Sequence, residues 1–151
     1  MLLTVEESSY AGPIPDGEIL AATCVGIKQI TEKFLKNDVT GEPLEQWEFS
    51  FVVNDPASQW HQQRLWGKTS TVFSTNSSCK LRNWLQVLFQ MDLPAKLQVD
   101  TDDAIGGVCR VEVGMREYEK DGQTKQANFV RDIILPAGAS FTPNTEADDP
   151  F

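Results

Sequence analysis

The residues of this chain best suited to chemistry by type and spacing are Arg64-Leu-Trp-Gly-Lys-Thr-Ser70. An extended chain turns successive side chains to opposite faces. Arg64, Trp66, Lys68 and Ser70 then share one side, and Leu65, Gly67, Thr69 and Thr71 the other. A tryptophan between two cations makes a poor core, because burying that face would desolvate both charges without partners. On an open face the same residues offer a flat ring for stacking and two charges for anions, which suits a planar, anionic ligand. Trp60 and His61 on the preceding loop, and Lys28, Lys33, Phe34 and Lys36 upstream, can extend the set. Glu42, Glu45 and Glu48 lie close by in sequence and work against it.

Other chemistries lack parts. The chain has a single histidine and no GxSxG, phosphate-loop or GxGxxG pattern, so neither catalysis nor a cofactor is expected. Asp100, Asp102 and Asp103 do not have calcium-loop spacing and read as a solvated linker, with no metal implied. Cys24, Cys79 and Cys109 form no CxxC pair and are odd in number. They read as small buried hydrophobes in a reducing, cytoplasmic protein. No apolar run approaches the roughly 20 residues that span a bilayer, and Met1-Leu-Leu-Thr-Val-Glu-Glu7 has no basic leader region, so no membrane is expected as a partner.

The elements that must position these groups follow from patterning. At 151 residues with a net charge of -9, the chain is one acidic domain with a tail. Within it, residues 56–91 hold Arg64, Lys68, Lys80 and Arg82 and no acid, a central basic band between acidic flanks. Residues 1–16 read as a loose lead-in, 17–136 as the folded domain and 137–151 as a flexible acidic tail. A first strand is predicted over 18–30, with Ile19, Ala21, Thr23, Val25 and Ile27 on one face and a bend or bulge at Gly26. A polar loop fills 31–42. A second strand over 44–53 sets Trp47, Phe49, Phe51 and Val53 toward the core. The third strand, over 64–73, leads to a helix over 76–91 opened by the Ser74-Thr-Asn-Ser77 cluster. Its apolar stripe is Leu81, Trp84, Leu85 and Leu88, with Lys80 and Arg82 on the solvated side. Strands over 105–118 and 124–135 flank a turn at Asp121-Gly122.

This all-β order with one helix, β-β-β-α-β-β, resembles the OB-fold, a five-stranded Greek-key barrel that binds oligonucleotides or oligosaccharides on its second and third strands. The segment Thr145-Glu-Ala-Asp-Asp-Pro-Phe151 resembles the acidic tip of bacterial and phage single-stranded DNA-binding proteins. The resemblance implies sequence-independent binding of single-stranded DNA through Arg64, Trp66, Lys68, Trp60, Lys28, Lys33, Phe34 and Lys36. It implies recruitment of replication or recombination proteins through Asp148, Asp149, Pro150 and Phe151, whose ring and α-carboxylate would suit a basic-rimmed pocket. It also implies bacteriophage replication or recombination as the setting, and a homo-oligomer as a possible assembly. Two other readings stay open. One is a protein-interaction or virion-associated β-barrel module without DNA binding, its acidic first third being the contact surface. The other is a sugar-binding barrel in which Trp60 and Trp66 stack pyranose rings.

Overall fold

Strand alternation decides which side of each strand faces inward, and the hairpin turns decide which residues lie opposite. In a computed structural model that describes residues 13–36 and 43–139, with the side chains of 13–31 and 45–139, the chain forms β1 (Ile19–Lys36), β2 (Pro43–Val53), β3 (Arg64–Ser70), α1 (Lys80–Phe89), β4 (Val108–Lys120) and β5 (Gln123–Ile134). The strands make one antiparallel sheet in the order β3-β2-β1-β4-β5. Its two edges approach each other: a Cβ built on Gly67 of β3 would lie 3.0 Å from Val130 Cβ of β5. Among the described residues no backbone hydrogen bond joins β3 to β5. The sheet is therefore barrel-like, with an open seam. Among the described residues no helix is long and apolar enough to cross a membrane.

β2 behaves as its alternation requires, with Phe49, Phe51 and Val53 fully buried and Trp47 half-buried against the core. β1 follows the predicted face only past its bulge, where Ile27 packs against the core. Leu20, Ala22 and Cys24 point inward, whereas Ile19 and Val25 are exposed. Both faces of this strand are apolar, so alternation alone carries no sign. Cys24 pairs with Phe51 and Gly26 with Ser50, leaving Val25 as a bulge residue that shifts the period by one. β1 also runs on to Lys36, through part of the segment expected to be loop.

The predicted apolar stripe of α1 is buried throughout, but the helix starts at Lys80, later than expected. The Asn76 side chain accepts from the Ser78 amide at 2.9 Å, a local turn that competes with helix, and Cys79 is the N-cap. Trp84 fills the barrel interior, its ring edge-on to Phe49 at 5.2 Å and to Phe51 at 5.9 Å. Its Nε1 donates to Asp132 Oδ1 at 3.0 Å. The indole lies so close to β3 that a Cβ at Gly67 would fall 2.4 Å from Trp84 Cη2. Gly67→Ala is therefore expected to cost about 1–3 kcal/mol by overpacking, measured by chemical denaturation.

Residues 13–16, the described part of the lead-in, are not loose. Ile14 is fully buried, and its amide and carbonyl are both held by the Asn128 side chain at 2.8 Å. Asp16 accepts from the Met115 amide at 3.0 Å and pairs with Arg131. The Met115 amide and the Arg131 guanidinium together hold the Asp16 carboxyl below its ordinary value of 3.8. A carboxylate with a depressed folded pKa stabilises fully above its unfolded value and loses that contribution as pH falls through the folded one. Between pH 5 and pH 2, wild type should therefore lose stability more steeply than Asp16→Asn in acid-titration melts.

Candidate functional site

β3 alternates strictly, with Leu65, Gly67 and Thr69 buried and Arg64, Trp66, Lys68 and Ser70 exposed. Trp66 leaves 45% of its surface in solvent. Register sets what surrounds it. Ser50 lies opposite Trp66, and Gly26 opposite Ser50, so small residues continue across the next two strands beside the indole. The adjacent row is Lys28, Glu48 and Lys68, with Lys28 Nζ 3.5 Å from Glu48 Oε1. Glu48, expected to work against the set, does face the same side, but it sits between two lysines and its charge is locally compensated. A flat ring over a low floor, bordered by cations, can stack a planar group and attract anions.

The face continues into a cleft of about 530 Å³ along the β3–β5 seam, lined by Glu48, Trp66, Lys68, Lys80, Arg116 and Phe129, among others. Phe129 packs over Gly114, where a Cβ would fall 2.4 Å from the ring. Lys80 Nζ sits 4.7 Å from the Trp84 ring centroid. Burial lowers the Lys80 ammonium from its ordinary pKa, and the Asp132 carboxylate partly offsets this. Lys80 is thus a half-desolvated cation at a cleft rather than a solvated helix residue. Arg82 is not solvated either: its Nε donates to the Leu93 carbonyl at 2.8 Å, and it pairs with Asp92 at 3.2 Å.

The structure brings together Arg64, Trp66, Lys68 and Lys28 from the predicted set. Trp60 is half-buried against the core with its Nε1 sealed from solvent, and His61 Nδ1 accepts from the Asp55 amide at 3.1 Å. Lys33, Phe34 and Lys36 lie on the far part of β1, and their side chains fall outside the described residues. Asp148, Asp149, Pro150 and Phe151 lie outside them entirely.

Sequence reasoning missed Lys80, Arg116 and Phe129. The signal for Phe129 was present. Asp121 and Gly122 both have positive φ, a two-residue turn, and counting back from it places Phe129 opposite Gly114 and Ala127 opposite Arg116.

A second concavity of about 440 Å³ lies between Phe73 and the loop carrying Leu93 and Leu97. Its half of the basic band is spent, because Arg82 is committed to Leu93 and Asp92. Cys24 of β1 and Cys109 of the adjacent β4 are both buried in the core, their thiols pushed up by burial to about 11 and about 12. They are inert packing groups. No known family profile matches the chain, and no curated protein matches it.

Proposed function

We propose that this is an OB-fold protein that binds single-stranded DNA without sequence preference. The observation that carries the reading is the exposed Trp66 indole, flanked by Arg64 and Lys68 on a small-residue floor that opens into a cationic cleft. Stacking on a ring is tolerant of base identity, and cations along the path follow the backbone. The strand order β3-β2-β1-β4-β5, with α1 between β3 and β4 and the edges drawn together, supports the five-stranded barrel of that fold. The acidic sum of the chain limits overall affinity, so binding rests on a local patch and depends steeply on salt.

Asp148, Asp149, Pro150 and Phe151 are proposed, on sequence alone, as the segment that recruits replication or recombination proteins. A phage replication or recombination setting in the cytoplasm, and pairing of subunits through unpaired strand edges, belong to the same reading.

Fluorescence anisotropy with a labelled oligo-dT tests it. Micromolar affinity is expected at about 50 mM salt, with a loss of tenfold or more by about 200 mM. No binding at the lower salt at micromolar protein defeats the proposal. Binding that ignores salt and yields to oligosaccharide favours the sugar-binding alternative.

A further inference from the structure

Resting on that reading, we infer that the bound strand leaves the β2–β3 face and crosses the seam, seating one nucleotide in the cleft between Trp66 and Phe129, with Lys80 of α1 and Arg116 of β4 on its flanking phosphates. The cleft and the face share Trp66, Lys68 and Glu48, so a base stacked on the indole already stands at the cleft mouth. Within the cleft Lys68, Lys80 and Arg116 supply the cations, and Asp132 stands behind Lys80. Among the described residues Glu48 is the one acid lining the cleft, and Lys28 lies beside it.

The walls are fixed. Trp84 leaves no space for a side chain at Gly67, which keeps that side bare backbone, and Phe129 is seated on Gly114. A volume of about 530 Å³ falls inside the roughly 300–1,000 Å³ of sites that hold ligands of nucleotide size. Lys80 has already lost part of its hydration against the Trp84 ring, so a phosphate there displaces less water than it would at an exposed lysine. The opposite direction, up the first hairpin, meets Glu45, which accepts from Gln29 at 2.9 Å.

The chemistry recognised is a planar base with a phosphate, which either a strand or a free nucleotide could supply. The full-length protein is titrated with an oligo-dT of about 15 nucleotides, near the upper site size of one barrel, and separately with dTMP. Lys80→Gln and Arg116→Gln should each weaken oligo-dT binding about three- to tenfold and lower the salt slope by about one. Phe129→Leu should weaken it about tenfold with the slope unchanged. Lys96→Gln, outside the cleft, is the control and should change nothing. Melting curves report folding; if Phe129→Leu does not fold, Lys80→Gln and Arg116→Gln carry the test.

If Lys80→Gln and Arg116→Gln behave like the control while wild type binds, the strand does not cross the seam, and the DNA-binding reading survives without this path. If wild type binds no oligo-dT, the reading falls first. If dTMP alone binds as tightly as the oligonucleotide, the occupant is a free nucleotide and the inference is overturned.

Discussion

Trp84→Ala should lower the unfolding free energy by about 3–5 kcal/mol, the usual cost of deleting a large buried aromatic. Measured by thermal melting, that corresponds to roughly 10 °C or more in a domain of this size. The indole is fully buried, meets Phe49 and Phe51 edge-on, and donates its one hydrogen bond to Asp132. Its removal leaves a cavity where helix and sheet meet, while the exposed Asp132 keeps the Ile133 amide on the same oxygen at 2.9 Å. Trp84→Phe keeps a ring against both phenylalanines and should lose about half as much, chiefly the hydrogen bond and part of the packing. The contact with Gly67 sharpens the test. Gly67→Ala costs stability because Trp84 is there, so in the Trp84→Ala background its penalty should largely vanish. Additive effects would mean that the close approach does not limit β3.

How much of this was readable in advance varied with the kind of signal each residue sent. The inward set of β2 and the exposed set of β3 were legible, because in both strands one face is aromatic or aliphatic and the other polar. β1 was not, because Ile19, Ala21 and Val25 alternate with Leu20, Ala22 and Cys24. Two apolar faces cannot vote on which is inside, and a bulge at Val25 changes the answer midway. The helix stripe was clear, but its first turn was obscured by four polar residues that each make a good cap. Asn76 spent its side chain on a local turn instead. The cleft was the least legible part. It is built across the seam from β3, α1, β4 and β5, and sequence patterning fixes the register of neighbours in a hairpin, not the approach of two edges that share no hydrogen bonds. Ile14 was hidden for a related reason: a lone apolar residue among prolines and glycines carries no periodicity, and only the Asn128 side chain opposite reveals why it is held.

Trp66→Ala should weaken oligo-dT binding tenfold or more, within the roughly 1–3 kcal/mol assigned to one base stacked on an aromatic ring. It should cost about 1 kcal/mol or less in stability, because nearly half of the side chain is already in water. That separation gives the experiment its force: a residue kept for packing loses stability first, and one kept for a ligand loses affinity first. Trp66→Phe retains a stacking face and should recover most of the binding. Glu48→Gln should act in the opposite direction. It removes the carboxylate between Lys28 and Lys68, raising the local positive potential, so affinity should rise at low salt and the salt slope should steepen. If Trp66→Ala melts well below wild type and binds as tightly, the indole is a structural residue on an open face. The nucleic-acid reading would then have to rest on the cations alone, which an acidic chain cannot support.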